Sequence, residues 1–366
     1  MLEQEYSKIR QARLRSIMAD RNLDAIITGL RHHAYYFSSH LPFWQHEGVF
    51  LIFRDGSTIL VAANCEPNAA ATDEVIPFEA HYAYTLRQEQ PQVVAEIIVN
   101  VLKQQKATRV GIDSSAVTMQ VALQSDAVCS SIDEDLWQLR RAKDPDELAL
   151  MKTAIACSEA MHAKAREIIR PGISEIEVYG VLHAVAVECA GEPMSAWLGN
   201  DYRCAAMGGT PRANCTAKAG EIYILDLGPT YRGYFADNAR SYAVGGNPSD
   251  AQEEARQVIL EVMQKVESMA KPGVSCQEIH EAAADILRTR TDHEMAHHLG
   301  HGVGLQPHEY PHLNPSWDDT LLEGEVFTVE PGIYSKELAE GLRIENQYLV
   351  TSNGVDNLVN IPTDLA

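Results

Sequence analysis

Two stretches of this chain repeat one another, and each places an acid where the core residue of a strand belongs. Residues 219–228 (AGEIYILDLG) align without a gap on residues 323–332 (EGEVFTVEPG), 104 positions later. Upstream lies a second matched pair at a spacing of 101: Arg170-Pro171-Gly172-Ile173-Ser174 with Glu177, and Lys271-Pro272-Gly273-Val274-Ser275 with Glu278. Downstream of each repeat stands an acid followed by asparagine, Asp237-Asn238 in the first and Glu345-Asn346 in the second. Such a duplication predicts two similar halves related by a pseudo-two-fold axis, with Asp226, Asp237, Glu330 and Glu345 facing one another. Four carboxylates taken out of water repel each other and lose hydration, so the arrangement calls for a cation.

The rest of the composition narrows the function by exclusion. A net charge of −21 disfavours nucleic acid, whose phosphates need a basic face. No run approaches the roughly 20 apolar residues of a membrane span, and the first fifteen residues alternate charged and apolar positions without a leader's hydrophobic centre. The seven cysteines (65, 129, 157, 189, 204, 215 and 276) are scattered, odd in number and never in a CxxC pair. That usage suits reduced thiols and a cytoplasmic protein better than a disulfide framework or a zinc ribbon.

Length suits two domains. Residues 3–21 read as an amphipathic helix, and 24–29 as a buried strand. Residues 48–53 and 57–62 read as a hairpin turning at Asp55-Gly56, 92–105 as a helix and 110–113 as a further strand. These alternations predict a small α/β domain over 1–140. Residues 140–146 (RRAKDPD) read as a polar linker, and Pro145-Asp146-Glu147 as the first turn of a helix running towards Ile169. The duplicated half, 141–366, follows.

Between the repeats lies a histidine cluster, His297, His298, His301 and His308, with His293 and His312 flanking it. The glycines at 300, 302 and 304 let backbone come close around His301, as a ligand presented at a tight turn requires. Together with Asp226-x-Gly, Gly233-Tyr234-x-x-Asp237, Gly300-His301-Gly302-Val303-Gly304, Thr328-Val329-Glu330-Pro331-Gly332 and Arg343-Ile344-Glu345-Asn346, the chain resembles the creatinase, prolidase and aminopeptidase P group of pita-bread proteins, the M24 metallopeptidases. The resemblance is strong over about residues 145–355 and weaker before them.

That resemblance implies an α/β (α+β) fold, a creatinase-like N-terminal domain and a pita-bread catalytic domain. It also implies two divalent ions per subunit: Asp226 on one, His301 and Glu330 on the other, Asp237 and Glu345 shared. The donor set of four carboxylates and one imidazole suits Mn first, with Fe, Co or Zn also admissible. The implied activity is hydrolysis of a C–N amide bond by a water shared between the ions, with an Xaa-Pro dipeptide or aminopeptide as substrate. Glu330 would carry a proton to the leaving nitrogen, and His297 and His308 would face the substrate carbonyl. Arg343 would orient an acid or meet a substrate carboxylate. A homodimer is implied as well, in which a neighbour's N-terminal domain can roof the site; His32, His33, Phe43 and Trp44 read first as ordinary loop or core packing, with that roof as their alternative role.

The pattern breaks at one place. Relatives specific for proline carry a histidine 17 residues before the first metal aspartate; that position here is Gly209. Tyr202, Arg203 and Arg212 are its nearest substitutes. The gap opens a second reading, the same metal site acting as a lyase or hydrolase on a small non-peptide metabolite. A third is a binding protein without catalysis, which the intact ligand set disfavours. A lesser departure is Ala239, where relatives carry threonine.

Overall fold

The repeat appears in the backbone as two copies of one device. In the first, Gly172 N–H donates to Ala217 O (2.8 Å) and Ala217 N–H returns to Ile173 O (2.9 Å). In the second, Gly273 N–H donates to Leu321 O (2.8 Å) and Leu321 N–H to Val274 O (3.0 Å). Gly172 and Gly273 take φ of +89° and +86°, the left-handed region glycine enters without a Cβ penalty. The serine that follows caps a helix in both copies: Ser174 accepts from Glu177 N–H (3.1 Å) at the head of Glu175–Ala190, and Ser275 from Glu278 N–H (3.4 Å) at the head of Cys276–Arg290. A longer helix precedes each, Pro145–Ile168 and Asp250–Met269, and both of these open on a capping box.

In this computed structural model, which describes every residue except 65, 66, 68, 195–198, 200 and 366, the chain divides into two units, Met1–Arg140 and Arg141–Ala366. Cys65, one of the cysteines read from the sequence, lies outside the described residues.

The first unit is a mixed six-stranded sheet. Its spatial order is Glu74–Phe78, Thr58–Ala63, Gly48–Phe53, Ala25–Thr28, Arg109–Ile112 and Val128–Ser131. Gly48–Phe53 pairs antiparallel with both Ala25–Thr28 and, across the hairpin turning at Asp55-Gly56, Thr58–Ala63, while the remaining neighbours pair in parallel. Helices Gln4–Asp20 and Gln90–Gln104 fall within a residue or two of the predicted ones. His33 is buried: its Nδ1 sits 3.0 Å from Asp113 Oδ2, and its Nε2 faces Arg140 Nη1 at 3.0 Å. Phe43 and Trp44 are 75% and 62% exposed.

In the second unit, strand Ile222–Leu227 lies between Asp201–Cys204 and Asn238–Ala243. Its counterpart Val326–Val329 lies between Gly300–Gly302 and Asn346–Val350, in a sheet extended by Glu309–Leu313 and Val355–Asn357. Strand Ile222–Leu227 is buried on both faces. Tyr223, Leu225 and Leu227 pack with Met161, Val178 and Leu182 of the first helix pair. Ile222 and Ile224 pack with Val262, Ile279, Val329 and Ile344 of the second half. Side chains alternate along a strand, so Asp226 projects on the face of Ile222 and Ile224, towards the other copy.

One expectation fails. Residues 140–146 are not a solvated linker: Arg140, Arg141, Lys143, Asp144 and Asp146 are all buried. Arg141 pairs with Glu325 and donates to Thr320 O (2.7 Å), Lys143 Nζ meets Glu309 Oε1 at 2.9 Å, and Lys143 N–H donates to Gly324 O (2.8 Å). The positive charges of Arg141 and Lys143, which made the stretch look exposed, are met by carboxylates more than 160 residues away.

Candidate metal centre

The carboxylates converge because the two half-sheets are stitched together beside them. Asp237 N–H donates to Gln347 Oε1 (2.9 Å), Glu345 N–H to Ala239 O (2.9 Å), and Ser241 Oγ to Arg343 O (3.0 Å). Arg240, fully buried, donates to Glu345 O (2.6 Å), Asn346 Oδ1 (2.8 Å) and Ile361 O (2.8 Å). The bond to Ala239 uses its backbone, so the threonine hydroxyl absent there is not needed for this join.

His301 reaches the same place by a different route. Strand Gly300–Gly302 is irregular, its register against Glu309–Leu313 shifting between His301 and Gly302. A Cβ on Gly300 would run into Thr328 O and one on Gly302 into Tyr310 O. Only glycines let the strands approach this closely on either side of the imidazole.

Asp226, Asp237, His297, His301, His308, Glu330, Arg343 and Glu345 all line one cavity of about 280 Å³, joined there by Asp201 and His298. Ligand atoms of Asp237, His301 and Glu345 lie within 4.8 Å of one another, as do those of His297, His298 and Glu330. His301 Nε2 stands 3.3 Å from Glu330 Oε1 and 3.8 Å from Asp237 Oδ2. Its Nδ1 faces Gly302 O at 3.0 Å, which orients the ring with Nε2 towards the acids. His308 stacks on it, centroids 3.8 Å apart.

The electrostatics are those of a site short of positive charge. Burial, then the neighbouring acids, raises the carboxyl pKa of Asp237 and Glu345 well above the ordinary range. Burial raises Asp226 too, against the pull of Arg343. Glu330 goes the other way: burial alone would raise it, but hydrogen bonds with His298 and His301 carry it well below. His301 is raised because its bond to Glu330 outweighs its burial. Burial, then His301 and His298, brings His308 down to about 4.

Among the described residues, Asp226 Oδ1, Asp237 Oδ1 and Glu345 Oε2 are buried without a hydrogen-bond partner. Buried acceptors are normally satisfied. Three unmet carboxylate oxygens on one cavity, beside an imidazole nitrogen, are the donor set a hard divalent cation takes.

Three neighbours went unread in the sequence. Asp201 pairs with Arg343, whose Nη2 also reaches Asp226 Oδ2 at 2.9 Å. His298, grouped with histidines of no assigned role, has Nε2 3.0 Å from Glu330 Oε1. Tyr334 OH lies 2.8 Å from His297 Nε2 and 3.1 Å from Arg343 Nη1. Only the tyrosine carried a signal, four residues past Glu330 and two past the end of the repeat.

At the position lacking the histidine, Gly209 adopts φ +118° and its N–H donates to Asp201. None of the suggested substitutes lines the cavity. Arg212 is bound to Glu175, Arg203 Nε donates to Thr210 O (2.7 Å), and Tyr202 is buried against Tyr179.

Comparison with known proteins agrees with this architecture. Residues 149–352 match the model of metallopeptidase family M24, and residues 10–141 that of the creatinase/prolidase N-terminal domain. The chain is 32% identical over 238 residues to an Xaa-Pro dipeptidase of Pyrococcus horikoshii, covering 64% of this chain and 67% of that one. The structure of a prolidase from Pyrococcus furiosus superposes with a TM-score of 0.78 at 25% identity, over 95% of this chain and 99% of the other. That of an Xaa-Pro dipeptidase from Bacillus anthracis gives 0.84 at 24% identity, over 98% and 99%, a likeness of fold. The fold is therefore the expected one, a creatinase-type N-terminal domain followed by a pita-bread domain.

Proposed function

The chain belongs to metallopeptidase family M24, and on that premise we propose that it is a dinuclear-metal hydrolase of Xaa-Pro dipeptides or short Xaa-Pro peptides. One observation carries the reading: acids from both halves, three with an unpartnered buried oxygen, meet one imidazole around a single cavity. Asp226, Asp237, His301, Glu330 and Glu345 would hold the ions, Mn being the first candidate for this oxygen-rich set. Bound there, two such ions would polarise a scissile carbonyl and acidify a water.

The chain's own groups do the remainder. Glu330, kept ionised by His298 and His301, accepts the proton of the attacking water and delivers it to the leaving nitrogen. His297, held by Tyr334 OH and by His298 O at 2.8 Å, and His308, stacked on His301, are the donors nearest a bound carbonyl. Arg343 is shared between Asp201 and Asp226, so its first role is to fix the acid. A homodimer in the cytoplasm completes the reading; exposed Phe43 and Trp44 are the apolar surface it would cover.

One observation favours the alternative, a lyase or hydrolase of a small non-peptide metabolite. The place of the missing histidine is filled by the Gly208-Gly209 turn bonded to Asp201. Assay of protein stripped with chelator and reloaded with Mn(II), on a panel of Xaa-Pro dipeptides, tripeptides and small amides, decides between them. Metal-dependent proline release is expected. Turnover of amides alone favours the alternative, and turnover that survives both chelation and Glu345→Ala removes both.

A further inference from the structure

A second group of reactive side chains lies outside the acidic cavity. Cys204 ends the strand Asp201–Cys204, and Cys215 lies beyond an excursion of ten residues, 205–214. Their sulfurs are 3.9 Å apart. Both backbones are pinned: Cys204 pairs with Tyr223 in the sheet, and Cys215 O accepts from Glu175 N–H at 3.2 Å. Cys204 Sγ also lies 3.4 Å from Glu175 Oε1, which accepts its S–H.

The excursion borders the cavity. Met207 O accepts from Arg343 Nη1 (3.4 Å) and Gly209 N–H donates to Asp201, both partners being cavity residues. We propose that Cys204 and Cys215 are an oxidisable dithiol, whose disulfide closes the 205–214 loop against the cavity wall. Glu175, Cys204 and Cys215 also have the composition of a soft-metal site. The carboxylate is already taken, however: Arg212 donates to both of its oxygens at 2.6–3.2 Å, and Cys204 N–H to one at 3.1 Å. A cation would have to displace Arg212, whereas sulfur–sulfur bond formation leaves every one of these bonds in place.

The order of steps follows from accessibility. Cys204 is buried and Cys215 half-buried, so Cys215 meets oxidant first. Its thiolate attacks hydrogen peroxide: an S–O bond forms, the O–O bond breaks, hydroxide leaves, and Cys215 becomes a sulfenic acid. Burial, then the bond to Glu175, holds the Cys204 thiol well above its ordinary pKa, so it stays protonated until its proton passes to the departing oxygen. Its sulfur then attacks Cys215 Sγ, the S–S bond forms, the S–O bond breaks, and water leaves with that proton. Two thiols lose two electrons to one peroxide, and two waters result. The sulfurs approach from 3.9 Å to about 2 Å, a movement the loop between them can supply.

Trypsin tests this directly, since cleavage after Arg203, Arg212 and Lys218 places the two cysteines on separate peptides. The full-length protein is treated with a few equivalents of peroxide, alkylated, digested without reductant and mapped by mass spectrometry. The expected product is a peptide 204–212 joined to 213–218, lighter by two hydrogens, lost on treatment with dithiothreitol. Cys204→Ser should leave Cys215 as a sulfenic acid trapped by dimedone, and Cys215→Ser should leave Cys204 as a free thiol. Both cysteines alkylated in the oxidised wild type would overturn the proposal. So would an oxidised protein whose sole cross-link maps to another pair of cysteines. The mass readout needs no hydrolase activity and stands apart from the peptidase reading.

Discussion

Replacing Asp237 with asparagine should make the metal-free protein more stable and the metal-loaded protein less so. A ligand oxygen of Asp237 lies within 4.8 Å of one on Glu345. Two unit charges at that separation, at an effective dielectric of 20, repel by about 3.5 kcal/mol. Asparagine keeps the volume and leaves the backbone bond to Gln347 untouched. Burial, then the neighbouring acids, holds both carboxyls above their ordinary range, so that figure is the upper bound of the gain. A group whose folded pKa is raised binds more protons folded than unfolded, so stability falls as pH rises above the unfolded value. The wild type without metal should therefore lose stability from about pH 5 to pH 9 faster than Asp237→Asn, and the gap between them should widen. On the site proposed above, adding Mn(II) should reverse the order, because ligand binding stabilises by about 2.7 kcal/mol at a hundred-fold excess over Kd and the variant would lack one of the ligands. Urea unfolding in chelator and in Mn(II), across that range, measures both halves. An apo variant less stable than the wild type throughout, or equal gains from Mn(II), would refute the reasoning.

Other outcomes follow from single contacts. His298→Ala removes a partner of Glu330 and should lower kcat by about 10- to 100-fold with metal content retained, read from steady-state kinetics and elemental analysis. Arg141→Ala leaves Glu325 buried with its ion pair broken and should cost about 3 kcal/mol in urea unfolding; a loss below 1 kcal/mol would contradict that pairing. His162, whose Nδ1 faces Tyr242 OH at 2.8 Å, is held down to about 3 by burial. An unfolded histidine takes up its proton near pH 6.5, so its contribution is intact above that and lost as pH falls towards 3, about 5 kcal/mol in all. His162→Gln should flatten that part of the stability profile, measured by chemical unfolding between about pH 4 and pH 7.

The four acidic ligand candidates were legible because duplication writes each of them twice, beside strands whose apolar runs show where the chain is buried, and His301 because glycines flank it. Asp201 was not. It sits 25 residues before Asp226 in a stretch without periodicity, and its partner Arg343 is 142 residues away. Such a pairing exists only once the half-sheets are joined. His298 was obscured for another reason: it lies just ahead of the strand Gly300–Gly302, outside any strand or helix, where no periodicity assigns a side chain to a face. The stretch 140–146 was misread because composition reports polarity and not its partners. Charges matched across the fold look the same, in sequence, as charges facing water.

The seam between the halves also has a consequence in time. A ribosome delivers Asp226 and Asp237 long before His301, Glu330 and Glu345 emerge. Two aspartates without an imidazole are a poor trap, so the nascent chain passes through synthesis with little hold on whatever cation is abundant. Capture waits until the last strands dock. On the reading proposed above, choice of ion then falls to the finished cavity rather than to the growing polypeptide.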